Sequence, residues 1–224
     1  MFGRLSDPAQ LLPVLLVAGI LLLVAFPIHE FSHALAAYRL GDSTARWMGR
    51  LTLNPVAHFD PLGGFFLIIT ALSGFAIGWA KPTPVNPANL AGGRQGEALV
   101  AFAGPFSNLV MASIVAVPLR AIATLGIEVP QLVVTVLAFL VLFNLLLFVF
   151  NLLPIPPLDG YKVLLSFLSP RTAWQLRPYE QYGFFILILL LFTGVFGIVV
   201  NAILYPIFEV LVGSPFILLR VGGS

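Results

Sequence analysis

From Leu11 to Tyr38 the chain runs as one apolar stretch long enough to span a bilayer, and within it lies His29-Glu30-Phe31-Ser32-His33. No other feature constrains the chain as much. A run of this length has to be a membrane helix, because a helix satisfies its own backbone in hydrocarbon. On a helix His29 and His33 stand one turn apart and share a face. Two imidazoles so placed can hold zinc, and the glutamate between them can act as a base toward water. Ionisable groups are costly at that depth, which points to function. The bland alternative is a core helix with satisfied histidines.

The rest of the chain is of the same kind. Hydrophobic residues make up 59% and charged residues 9% of the 224, against about a quarter charged in soluble domains. This is the composition of an integral membrane protein. With no cysteine, a metal would have to be held by histidine and carboxylate. A formal charge of +2 gives no case for a nucleic-acid partner.

The apolar pattern predicts an all-α bundle of about five to six transmembrane helices, forming one transmembrane domain over 1–224. Its catalytic core spans about 10–168 and its C-terminal helices lie in 181–219. Spans are expected at 11–38, 97–119, 131–153 and 181–204, with a short helix at 161–168 and an interfacial or short helical piece at 205–219. Pro27 is placed to kink or loosen the first helix. Residues 45–60 alternate loosely between polar and apolar, as a short strand would, through Arg46, Trp47, Arg50, Thr52 and Asn54. An exposed strand there could capture an unwound substrate, with Arg50, Leu51 and Thr52 in contact with it. His58 and Asp60 read either as a gate or as the cap of a turn, and the turn is favoured.

A catalytic zinc site needs a third protein ligand. Asp159 is the best candidate, because it sits at a helix break in the tract Pro154-Ile155-Pro156-Pro157-Leu158-Asp159-Gly160. Taken alone, that tract serves equally well as a turn. Glu97 or Glu180 as third ligand would define a different membrane zinc peptidase. A metal-binding membrane protein without catalysis is a further alternative, against which the presence of Glu30 argues.

Three motifs in order then resemble the site-2 protease family of intramembrane zinc metalloproteases. They are HEFSH at 29–33, AGPFSN at 103–108 and NLLPIPPLDG at 151–160. GRLTLNPVAHFDP at 49–61 and WAKPTPVNP at 79–87 resemble the compact branch of that family, without PDZ or CBS domains. The resemblance implies one Zn²⁺ per chain on His29, His33 and Asp159, with Glu30 as base. It implies that Asn151 steadies the substrate or the developing oxyanion, and Asn108 is a weaker candidate for substrate contact. It also implies a substrate that is a membrane protein with a transmembrane helix, cut within or near the bilayer of a prokaryotic plasma membrane.

Zinc bonds are about 2 Å long, so the three ligands must meet at one depth. HEFSH lies toward the C-terminal end of its helix and Asp159 just past the end of another, so those two helices run in parallel. Four single crossings before Asp159 would make them antiparallel. One segment must therefore fail to cross, and 61–79, short and glycine-studded, is predicted to be re-entrant, interfacial or a hairpin. Basic residues give a second argument. With no crossing there, Arg39, Arg46, Arg50, Lys81, Arg94, Lys162, Arg171 and Arg177 fall on one side and Arg4, Arg120 and Arg220 on the other. That asymmetry puts the N-terminus outside and the active site toward the cytoplasm.

Overall fold

The computed structural model describes residues 8–72 and 78–213. The first apolar run is a continuous helical rod: α1 (Pro8–Ile20), a π turn (Leu21–Ala25) and α2 (Phe26–Arg39). The π turn has a local cause. Pro27 cannot donate to the helix, and its ring would press on the carbonyl of Leu23 in a regular α-helix. One wider turn opens the backbone before the proline, with the Phe26 N–H reaching back to the Leu21 carbonyl. His29 follows four residues after Ala25, so this irregularity lies one turn before the chemistry.

Short helices α3 (Thr44–Trp47) and α4 (Pro55–His58) follow, then α5 (Pro61–Leu72). The chain continues through an extended tract into α6 (Arg94–Leu125), α7 (Gln131–Asn151), α8 (Asp159–Phe167), α9 (Pro170–Leu176), α10 (Gly183–Phe192) and α11 (Val195–Val212). Four helical stretches among the described residues are long and apolar enough to cross a membrane: Leu12–Arg39, Arg94–Leu125, Gln131–Asn151 and Val195–Val212. The bundle is all-α as predicted, and α5 and α10 are apolar helices of 12 and 10 residues beside these four.

α6 is the central helix and packs against α2, α7, α8 and α11. Its far half meets α7 and α11 in one apolar cluster. Val200, Leu204, Phe208 and Val212 form a ridge at every fourth residue of α11, set against Ala112 and Ala116 of α6 and Val141, Leu145 and Val149 of α7. The two alanines let the backbones approach, as small residues do between membrane helices. On the outer surface Ile114, Val117, Phe184, Leu189 and Ile198 are exposed, as a lipid-facing surface requires.

The predicted non-crossing segment turns back on itself. The Lys81 N–H donates to the His58 carbonyl at 2.9 Å, so the two ends of the excursion meet. Gly78 and Trp79 lie against Gly63 and Leu67 so closely that a Cβ on Gly63 would overlap the Trp79 carbonyl. Leu67, 1% exposed, fixes α5 on Ala18 and Phe26. Of the glycines that marked the segment in the sequence, Gly63 and Gly78 lie where its two limbs touch.

Two expectations are corrected. The strand at 45–60 is absent, and no strand occurs among the described residues. Thr44–Trp47 and Pro55–His58 are single helical turns, with Ala45, Arg50 and His58 buried and Trp47, Met48 and Val56 exposed. The alternation came from this inside–outside partition and not from a pleat. The last span is also displaced. Gly194, at φ 75°, takes the left-handed conformation that glycine adopts without strain, and separates α10 from α11. The spanning helix is therefore Val195–Val212 in place of 181–204, and it absorbs much of the predicted 205–219 piece.

Candidate metal centre and active site

His29 and His33 project from one face of α2, and Asp159 opens α8 directly after the proline-rich break that ends α7. The structure brings them together. His29 Nε2 and His33 Nε2 are 3.1 Å apart, and Asp159 Oδ2 lies 3.3 and 3.2 Å from them. Tetrahedral coordination with bonds of about 2.0–2.1 Å sets ligand atoms about 3.3 Å apart. The observed triangle has that size. Among the described residues this is the group of three histidine, cysteine or acidic side chains with the spacing of a metal site. Glu97 lines the same cavity but is outside the group, as is Glu180.

Hydrogen bonds behind the rings fix what the triangle can hold. His33 Nδ1 lies 2.7 Å from the Val100 carbonyl, which can only accept, so in the neutral imidazole Nδ1 carries the proton and Nε2 presents a lone pair. His29 is set by a longer relay. Asn144 Nδ2 donates to the Leu140 carbonyl at 2.8 Å, and Asn144 Oδ1 accepts from Asn108 Nδ2 at 3.2 Å. Asn108 Oδ1 then faces His29 Nδ1 at 2.6 Å and accepts a hydrogen bond from it. Both Nε2 atoms are therefore acceptors, and so is the carboxylate. Three acceptors converge with no donor between them, which repels unless a cation sits there. The donor set fits zinc, and histidines oriented through their second nitrogen are what zinc sites use.

Gly104 completes the enclosure. A Cβ at that position would overlap His33 Nε2 and come within 2.7 Å of His29 Nε2. The AGPFSN tract thus contributes twice: Gly104 lets α6 close over the imidazoles, and Asn108 orients one of them. Asn108 is fully buried with both ends of its amide engaged, so it stands behind His29 and is not among the residues lining the cavity. Neither Asn144 nor Gly104 was singled out from the sequence as part of the site. Asn144 carried a usable signal, since a buried asparagine in an apolar span needs a partner.

A cavity of about 400 Å³ opens onto the triangle. Glu30, Asn151, Glu97 and Lys162 line it with apolar Phe26, Leu147, Phe150 and Leu158. Glu30 Oε2 accepts from the Thr83 N–H at 2.7 Å, and Thr83 Oγ1 donates to the Glu30 carbonyl at 3.0 Å. Asn151 faces the cavity with Nδ2 donated to the Leu147 carbonyl at 2.9 Å. The remaining candidates lie elsewhere. Arg50, Leu51 and Thr52 are not among the lining residues. The Arg50 guanidinium is buried and donates to the carbonyls of Lys81 and Pro82 at 2.7 and 2.9 Å. His58 is buried with Nε2 2.8 Å from the Thr52 carbonyl, and Asp60 Oδ1 accepts from the N–H groups of Leu62 and Gly63 at the start of α5. The pair sits in a capped turn.

This geometry defines a membrane-embedded zinc hydrolase: an enclosed two-histidine, one-carboxylate centre with a glutamate beside it. Residues 118–194, which include Asp159, match peptidase family M50. The chain is 40% identical over 190 residues to "Putative zinc metalloprotease YwhC" of Bacillus subtilis, covering 83% of each protein. It is 36% identical over 189 residues to "Putative zinc metalloprotease Rip2" of Mycolicibacterium smegmatis, covering 80% of this chain and 67% of that protein. No solved structure matches it. The chain belongs to peptidase family M50, the site-2 protease family, and is an intramembrane zinc metalloprotease. The non-enzymatic alternative falls with that assignment.

Proposed function

We propose that the enzyme cuts membrane-protein substrates at peptide bonds within or near a transmembrane helix, at a single zinc held by His29, His33 and Asp159. The observation that carries this reading is the convergence of three acceptor atoms, at 3.1–3.3 Å, on the wall of a cavity that also holds Glu30. Zinc supplies Lewis acidity toward water and toward a peptide carbonyl. Glu30 takes the proton of the attacking water and passes it to the leaving amine. Asn151, one turn before the break that delivers Asp159, steadies the carbonyl oxygen as charge develops on it.

A helical substrate hides its peptide bonds in its own hydrogen bonds, so a few residues must unwind before attack. The cavity suits an unwound piece, with apolar side chains from α2, α7 and the segment before α8 and polar groups at Glu97 and Lys162. The charge asymmetry of the sequence supports an outside N-terminus and a cytoplasm-facing catalytic end, and the bacterial origin of the relatives supports a prokaryotic plasma membrane as the site of action. One domain over 1–224 carries both chemistry and anchoring. The test is cleavage of a labelled model transmembrane helix by zinc-loaded protein in bilayers. Wild type should cleave and Glu30→Ala should not, at equal zinc content. Equal cleavage by both would remove Glu30 from the chemistry.

A further inference from the structure

The tract between the α5 excursion and α6 is extended apart from one 3-10 turn at Pro87–Asn89, and it is fastened at several points. Its start is pinned where the Lys81 N–H meets the His58 carbonyl at 2.9 Å. Arg50, 6% exposed, spans the carbonyls of Lys81 and Pro82 from beneath. Its far end is held by Asp42, fully buried, whose carboxylate accepts from the Asn86 N–H at 2.7 Å and from Asn89 Nδ2 at 3.1 Å. Burial alone would push the Asp42 carboxyl up, but donors from Thr44, Asn86 and Asn89 hold it below the usual carboxylate range.

Within Pro82-Thr83-Pro84 only Thr83 can donate from its backbone, because the two prolines carry no N–H. That single N–H is spent on Glu30 Oε2 at 2.7 Å, and the Thr83 hydroxyl is spent on the Glu30 carbonyl at 3.0 Å. A flexible glutamate is thus held by both its backbone and one carboxylate oxygen at the wall of the cavity it lines. From this arrangement we infer that Thr83 is the positioning residue of the catalytic base, and that Arg50 acts through the strap to hold Thr83 in place. The Pro-Thr-Pro sequence is then a device: two prolines stiffen the strap and leave one donor, aimed at one oxygen. The inference rests on the reading of Glu30 as the base.

The test uses the full chain in bilayers, with kcat, KM and zinc content measured together on a labelled model transmembrane helix. Thr83→Pro removes the N–H, Thr83→Val removes only the hydroxyl, Thr83→Ser keeps both, and Arg50→Ala releases the strap. Misplacing a reacting group by about 1 Å costs about a hundredfold in rate, so Thr83→Pro should lower kcat by about 10- to 100-fold. KM and zinc content should stay within about twofold of wild type, since neither substrate contact nor ligand is removed. Thr83→Val and Arg50→Ala should fall in the same direction by smaller factors, and Thr83→Ser should match wild type. Wild-type kcat in Thr83→Pro, or a change in KM alone, would overturn the inference. If Thr83→Pro loses zinc and so fails to fold, Thr83→Val and Arg50→Ala decide it by the same criterion. Activity retained in Glu30→Ala would instead overturn the assignment of the base itself.

Discussion

The two halves of α6 use different physics. Its far half, with α7 and α11, is held by interdigitated apolar side chains around Ala112, Ala116, Val141, Leu145 and Phe208, where no single atom pair decides anything. Its near half, from Val100 to Asn108, is held against α2 by directed contacts: one carbonyl to His33, one amide to His29, one missing Cβ over both rings. Packing of the first kind tolerates small changes of shape at a cost in stability. Contacts of the second kind are nearly all-or-none for the centre they orient. The same helix therefore works as scaffold at one end and as part of the metal centre at the other.

Substitutions can break this contrast or sharpen it. The largest effect on turnover per zinc-loaded chain is expected from Glu30→Gln, which should lower kcat by about 10²–10⁴-fold while zinc content is unchanged. Next comes Gly104→Val, whose Cβ alone overlaps His33 Nε2. It should abolish stoichiometric zinc binding, measured by metal analysis, while the thermal transition of the far half survives. Asn108→Leu should weaken zinc by about 10–100-fold in competition with a chelator, as loss of an outer-shell partner does. Asn144→Leu should weaken it less, acting one bond further back. Smallest in turnover is Leu145→Ala, fully buried in the apolar half. It should cost about 2–5 kcal/mol of stability and leave kcat and zinc unchanged. If Leu145→Ala disturbed zinc as strongly as Asn108→Leu, the two-part division of α6 would be wrong.

What the sequence disclosed follows the same division. HEFSH was legible because a helix sets the i, i+4 geometry locally, and Asp159 because a proline-rich break announces itself in an apolar chain. The return of the α5 excursion was legible through parity, a constraint from the membrane that needs no coordinates. The contacts that orient the centre were not. Glu30 meets Thr83 and Arg50 meets Lys81 across loops, and His29 meets Asn108 across 79 residues, so no local pattern pairs them. The strand expected near Arg50 failed for a related reason. A few alternating residues at an interface arise as readily from two helical turns with one buried side as from a pleat. The end of the last span failed because Gly194 is a break only by virtue of its conformation, which composition does not reveal.

The most direct measurement is zinc per chain in purified wild-type protein and in Asp159→Ala, with His29 and His33 left in place. About one equivalent in wild type and loss of nearly all of it in the variant is the predicted result, since two imidazoles alone do not complete the site. A variant that keeps its full equivalent would show that the carboxylate on α8 is not a ligand, and the convergence of α2 and α8 on one ion would have to be abandoned.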